Sequence, residues 1–190
     1  MVNKKIALGG LSLFFALSFL PACAPTLCPE GDQIKRSYSE HNAPSSYQAS
    51  LSLRQGFLRI PIEVDKRDGR FAIRGEGKTF ELNLGNLCIG GVCLDLPISP
   101  DGILFGKVLR GDEKLSCSFG GVFFERDEGA FKSRYIFKDG RLSLIELYDK
   151  RREKVLKISY LDWSKEGYAK AIKLEGENLS AILTVDSIKF

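Results

Sequence analysis

The sequence predicts a mainly β domain: one strongly curved antiparallel sheet or barrel, closed or plugged by one or two short helices. Three observations carry this prediction. From Tyr47 to the end, apolar and polar residues alternate with a period of two. Turn signals recur every eight to twelve residues or so, enough for about ten strands. Only residues 31–40 and 103–111 leave this pattern for a helical one.

The elements follow in order. Tyr47, Ala49, Leu51 and Leu53 alternate with polar neighbours, and Leu58, Ile60, Ile62 and Val64 then alternate with Phe57, Arg59, Pro61 and Glu63. Asp68-Gly69 marks a hairpin turn. Phe71 and Ile73 resume the alternation, and Phe80, Leu82 and Leu84 form the next strand. In Cys88-Ile89-Gly90-Gly91-Val92-Cys93, the glycine pair reads as a two-residue turn closed by Ile89 and Val92. Ser99 as N-cap, Pro100 at the first helical position and Gly111 at the end bracket a helix whose Ile103, Leu104 and Val108 share one face. Gly102 and Gly106 weaken it, so packing must hold it. Strands return at 115–119, 122–126, 131–138, 141–148, 155–163, 169–174 and 179–188, with Asp139-Gly140 as another hairpin turn. Within 141–148, Leu142, Leu144, Ile145 and Leu147 break strict alternation and predict a β-bulge.

The first 22 residues stand apart. Lys4 and Lys5 precede an apolar run from Ile6 to Leu20, and Leu20-Pro21-Ala22-Cys23 follows. That order describes a secretory leader, and the run is shorter than the roughly 20 residues needed to span a bilayer. The segment resembles the lipobox of bacterial lipoproteins, with proline an unusual second residue. The resemblance implies cleavage after Ala22, a diacylglycerol thioether on Cys23 and acylation of the new amine. Several acyl chains anchor a protein stably to a membrane. Residues 23–46, rich in Pro, Ser and polar residues with one short helix at most, read as the lipidated cysteine and a flexible tether. Residues 47–190 are then a single domain.

Composition narrows the function. The 28 Lys and Arg outnumber the 24 Asp and Glu by four, and Lys4 and Lys5 supply half of that excess from within the leader. No basic stripe remains to hold nucleic acid. Besides Cys23 there are Cys28, Cys88, Cys93 and Cys117, an even set in an exported chain. Cys88 and Cys93 occupy the non-hydrogen-bonded pair of their hairpin, where side chains approach closest and a disulfide fits. Cys28 and Cys117 would pair by elimination. Four free buried thiols are the alternative. A zinc site is weaker, since the spacing is wrong and His41 is the single histidine.

Catalytic constellations are thin, and no enzyme, metal or cofactor is expected. Gly77-Lys78-Thr79 mimics a P-loop, but Thr79 runs into the strand pattern of Phe80 to Leu84, where phosphate binding requires a helix. His41 lies in the tether, without a rigid platform for a triad. Glu146, Asp149 and Glu153 cluster near a turn crowded with Lys and Arg, as a charge-balanced surface does.

The apolar stripe is more informative. Leu58, Ile60, Ile62, Val64, Phe71, Ile73, Phe80, Leu82, Leu84, Leu156, Ile158, Tyr160, Ile172 and Leu174 all sit at alternating positions. Such residues fill a core, or they line a concave face that takes an acyl chain.

The order of these features resembles the LolB family of outer-membrane lipoprotein receptors. It runs from the lipobox to Ser46-Tyr-Gln-Ala-Ser-Leu-Ser-Leu-Arg54, Phe80-Glu-Leu-Asn-Leu-Gly85 and an apolar-Gly hairpin. Leu96-Pro97-Ile98, the amphipathic residues 103–111, Ala171-Ile-Lys-Leu-Glu175 and the final strand complete it. The resemblance implies an incomplete β-barrel with a helical lid over a hydrophobic cavity. The stripe would line that cavity, and Ile103, Leu104 and Val108 would belong to the lid. It implies a monomer that takes acylated lipoproteins from a LolA-like periplasmic carrier and inserts them into the outer membrane, with no covalent chemistry. It makes Ile89 the counterpart of an exposed apolar tip that helps insertion, although Cys88 and Cys93 flanking the tip depart from the family pattern. Ala24, where aspartate retains lipoproteins in the inner membrane, implies the periplasmic face of the outer membrane. The alternatives are a filled-barrel interaction lipoprotein and a binder of phospholipid or glycolipid.

Overall fold

The computed structural model describes residues 28–75, 78–81, 86–89, 92–95 and 97–190, and between 76 and 96 it describes backbone alone. The chain opens with α1 (Gly31–Ser37) and a 3₁₀ turn (Glu40–Asn42), then enters a meander of β1 (Tyr47–Gln55), β2 (Leu58–Arg67), β3 (Arg70–Gly75) and β4 (Lys78–Glu81). A separate hairpin of β5 (Asn86–Ile89) and β6 (Val92–Asp95) leads to α2 (Pro100–Phe105). A second meander follows: β7 (Lys114–Ser118), β8 (Gly121–Glu128), β9 (Phe131–Lys138), β10 (Arg141–Asp149), β11 (Lys154–Trp163), β12 (Ala169–Gly176) and β13 (Leu179–Lys189).

Antiparallel pairing of β1 with β13 welds the two meanders into one 11-stranded sheet, in the order β4-β3-β2-β1-β13-β12-β11-β10-β9-β8-β7. Its free edges are β4 and β7, which are also the strands on either side of the β5–β6–α2 segment. That connection therefore runs from one edge of the sheet to the other, and α2 lies on the face that the curved sheet buries. The predicted mainly β architecture is what forms: an open and strongly curved antiparallel sheet with, among the described residues, two short α-helices.

Local chemistry sets the hairpins. Asp68 and Gly69 take φ values of 49° and 74°, and Asp139 and Gly140 take 50° and 71°. Two successive positive φ angles match the right-handed twist of the flanking strands. The predicted bulge is present: the β9–β10 register shifts between Leu142 and Leu144, and the Ser143 hydroxyl donates to the Ile136 carbonyl. Leu142, Ile145 and Leu147 thereby all reach the buried face. Lys78 and Thr79 open β4, so residues 78–81 are extended and not helical.

One core runs along the inner face of the sheet. Leu51 and Leu53 on β1, Val64 on β2, Phe124 on β8, Tyr135 and Phe137 on β9, Ile158 on β11, Ile172 on β12 and Leu183 on β13 are all buried in it. From the helical side Ile34, Leu104, Phe105, Val108 and Leu109 join the same cluster.

Two expectations are corrected here. The helix predicted to reach Gly111 stops at Phe105, because Gly106 adopts a left-handed φ of 66° and its N–H bonds back to the Asp101 carbonyl. Val108 and Leu109 are buried beyond that cap in non-helical chain; Leu109 forms a parallel bridge with Ser39, so their apolarity extended the apparent helix. Residues 28–46 are not a free tether. The Cys28–Cys117 disulfide, with Cα atoms 5.9 Å apart, ties the segment to β7. Ile34 is in the core, and Val108 and Leu109 N–H groups donate to the Tyr38 carbonyl. Residues 1–27, with the leader, Cys23 and Ala24, lie outside the described residues.

Candidate acyl-binding face and its helical cover

The site is built from α2 and the strands beneath it. Ser99 caps the helix by accepting from the Gly102 N–H, and Pro100 occupies its first turn. Gly102 is a packing requirement: a Cβ there would come within 2.6 Å of Ile98 and 3.1 Å of Val108. Leu104 and Phe105 face the sheet as buried residues, with the Phe105 ring edge-on to Tyr47 at 5.0 Å.

A few polar links fasten this short helix. Lys66 Nζ on β2 donates to Asp101 Oδ2 at 2.6 Å and to the Pro44 carbonyl at 2.7 Å, and both ionic side chains are buried. The Phe71 ring lies 5.3 Å from the same ammonium. The Tyr160 hydroxyl on β11 donates to the Gly102 carbonyl at 2.8 Å. Tyr160 stacks on Trp163 at 5.0 Å, and the Trp163 indole N–H donates to the Leu142 carbonyl. The Tyr47 hydroxyl and Asp101 Oδ1 are buried with no regular hydrogen bond. Burial, and then the charge of Asp101, push the Tyr47 phenol far above its ordinary range. Burial does the same to Tyr160.

A second ionic group lies under the chain that follows α2. Glu113 accepts from the Arg110 and Gly111 N–H groups at 2.7 and 2.9 Å and from Arg126 at 3.0 Å. Arg126 also donates to the Tyr135 hydroxyl at 2.8 Å and to the Val108 carbonyl at 3.3 Å. This pair is almost wholly out of solvent, and the Glu113 carboxylate is satisfied by backbone N–H groups as well as by charge, as a buried ion pair requires. Burial raises Tyr135 to about 12 even though Arg126 opposes the shift.

The residues of the predicted stripe separate into groups. Ile60, Val64, Ile73, Ile158, Tyr160, Ile172 and Leu174 are buried, while Ile62, Phe71 and Leu156 pack partly buried against them. Leu58 does not join them. It is half exposed, because it follows the Gly56-Phe57 turn at the outer end of β2, beyond the reach of the core. Phe80 is level with Ile73 in the β3–β4 register, and Leu82 and Leu84 lie outside the described residues. Of the lid residues, Leu104 and Val108 are buried and Ile103 is partly so. Cys88 stands opposite Cys93 and Ile89 opposite Val92, the register read from the glycine pair.

Sequence reasoning missed the charged residues of the inner face. Lys66 continues the Ile60-Ile62-Val64 alternation and Arg126 continues Val122-Phe124, so each occupies a core position by parity. A cation in phase with a core stripe was the available signal. Asp101 carried none, since an acid in a first helical turn has its own reason to be there.

The opposite face of β1–β3 carries a cleft of about 210 Å³ lined by Gln48, Ser50, Glu63, Asp65 and Arg74, among others. It is too polar for an acyl chain.

No family model and no curated protein matches the sequence. Among solved structures, the chain is similar to a crystal structure described as an outer membrane lipoprotein-sorting protein domain from Vibrio parahaemolyticus. The TM-score is 0.52 at 10% identity, covering 84% of this chain and 90% of that one. At that identity the likeness is one of fold.

Proposed function

We propose that this protein is a lipid-anchored envelope receptor that holds acyl chains on the apolar face beneath α2. Its cargo is an acylated lipoprotein handed over by a LolA-like periplasmic carrier and released into the outer membrane. The observation that carries this reading is the placement of α2. Among the described residues it is the one helix in an edge-to-edge connection, and it covers the apolar face through a short apolar contact and a few polar fastenings. Such a cover can leave without dismantling the sheet ladder. The fold of the sorting domain from Vibrio parahaemolyticus supports the same reading.

In this mechanism the chain does no covalent chemistry. Ile60, Ile62, Val64 and Ile73 on one wing and Ile158, Ile172 and Leu174 on the other offer aliphatic surface once α2 shifts. Each acyl CH₂ moved out of water contributes about 0.8 kcal/mol. Direction is then set by the relative apolar area of carrier, receptor and bilayer. Cys23 would carry the anchor, Ile89 would present an apolar tip at the β5–β6 turn, and a Cys88–Cys93 disulfide would stiffen it.

The test uses the chain without residues 1–22 and with Cys23→Ala, loaded with an environment-sensitive apolar probe. Displacement by a triacylated lipopeptide, but not by its unacylated form, is the expected result. No probe uptake, or equal displacement by both, would overturn the reading. It would favour a second one, an interaction lipoprotein with a filled interior, for which the complete burial of Phe124, Tyr135, Phe137 and Ile145 speaks.

A further inference from the structure

Two hairpin tips present a fully exposed phenylalanine: Phe57 between β1 and β2, and Phe119 between β7 and β8. In an antiparallel meander successive turns alternate between the two ends of the strands. Through the β1–β13 pairing, Phe57 and Phe119 fall at opposite ends of the sheet. Single exposed apolar residues are ordinary on a protein surface. What distinguishes Phe119 is the covalent neighbour of its strand.

Cys117, two residues before Phe119, is bonded to Cys28. Only five peptide steps separate Cys28 from Cys23, a reach of roughly 17 Å when fully extended. Counted to Ile34, the next residue packed into the core, the same anchor would allow a reach of roughly 37 Å. The disulfide thus about halves the lead to the anchor and fixes its origin beside one hairpin. Lys138 and Arg141, exposed with Asp139 in the β9–β10 turn, border that end of the sheet, and Lys138 packs close to Gly121 at the base of the hairpin. An aromatic tip beside cationic side chains matches the interface of an anionic bilayer.

We propose that Phe119 is a membrane-contacting tip, seated in the headgroup region of the bilayer that holds the Cys23 anchor, with the Cys28–Cys117 disulfide fixing that orientation. This rests on the lipid-anchored reading above. Phe57, at the other end of the strands, then points away from the bilayer.

The full chain, matured in a lipoprotein-processing bacterium, is reconstituted into phosphatidylethanolamine–phosphatidylglycerol vesicles carrying brominated acyl chains. Phe119→Trp and Phe57→Trp variants are compared with the parent, whose single tryptophan, Trp163, supplies the background. The expected result is loss of most of the added emission for Phe119→Trp and little loss for Phe57→Trp. Adding Cys28→Ser and Cys117→Ser brings Phe119→Trp close to the Phe57→Trp level while vesicle flotation is kept. Equal quenching of the two tips in a floating protein would overturn the orientation. Unchanged quenching without the disulfide would overturn the role given to that bond. Mass spectrometry finding no lipid on Cys23, with no flotation, would remove the anchoring premise itself, a failure distinct from the other two.

Discussion

Lys66 on β2 and Asp101 in the first turn of α2 meet at 2.6 Å with both side chains buried, joining the cover helix to the wall of the sheet. The pair ties a six-residue helix to β2, the strand beside β1 and third from the β4 edge of the sheet. A helix so short has almost no intrinsic stability, so its position depends on such links.

Asp101→Ala leaves an ammonium buried with the Pro44 carbonyl as its remaining hydrogen-bond acceptor. Removing one partner of a buried pair costs about 3–5 kcal/mol, whereas replacing both with apolar residues is often neutral or better. In urea unfolding, Asp101→Ala should lower the midpoint markedly, while Lys66→Met with Asp101→Leu should recover most of the loss. Apolar probe uptake should rise in Asp101→Ala below its unfolding midpoint. Equal midpoints for the single and double variants would deny the pair its role.

The Cys28–Cys117 disulfide closes a loop with a sequence separation of 89 residues. Chain entropy for a loop of that length predicts a stabilisation of about 4–5 kcal/mol. Cys28→Ser with Cys117→Ser should lose a comparable amount in equilibrium unfolding, and amide exchange should rise first around α1, where Ile34 relies on the closed loop for its place in the core.

Alkali should unfold the protein before its arginines titrate. Tyr135 holds its proton to about 12, mainly because it is buried, against an ordinary value of 10.0. Between those values the unfolded chain has released the proton and the folded chain has not, so the unfolded state binds fewer protons and stability falls. The contribution is complete below pH 10 and is lost by about pH 12, of order 3 kcal/mol from Tyr135 alone. Tyr47 and Tyr160, shifted in the same direction, add to it. Unfolding followed by circular dichroism should coincide with the last part of the rise in tyrosinate absorbance. Complete ionisation of all six tyrosines near pH 10 with the fold intact would contradict this.

Gly121 is a backbone requirement. Its φ is 125°, and a Cβ there would stand 2.1 Å from the Phe137 carbonyl oxygen, a backbone atom that cannot swing aside. Gly121→Ala should cost about 1–3 kcal/mol from backbone strain, with ladder disruption in addition. Gly120→Ala, whose added methyl would meet nothing nearer than 3.5 Å, should be tolerated. Thermal melts of the two variants separate the positions.

Much of the strand pattern was legible in the sequence because it rests on local rules. Alternation marks an inner face, Asp-Gly pairs demand positive φ, and the crowded leucines of β10 require a bulge. The residues at 131–138 form a strand with those bounds. Helix length was less legible: Gly106 carried the stop signal, but Val108 and Leu109 kept the apolar pattern going for a tertiary reason.

What only the tertiary structure decided is non-local. The welding of β1 to β13 joins residues from the two ends of the domain, and no local propensity encodes it. The passage of α2 from edge to edge follows from that strand order. Lys66, Asp101, Arg126 and Glu113 are charged and yet buried, since each finds its opposite charge only when distant segments meet. Residues 28–46 looked like a tether because they are polar and short of secondary structure, and the bond from Cys28 to Cys117 makes them part of the domain. Periodicity and turn chemistry act over a few residues and can be read along the chain; pairing, burial of charge and cross-linking depend on what the fold brings together.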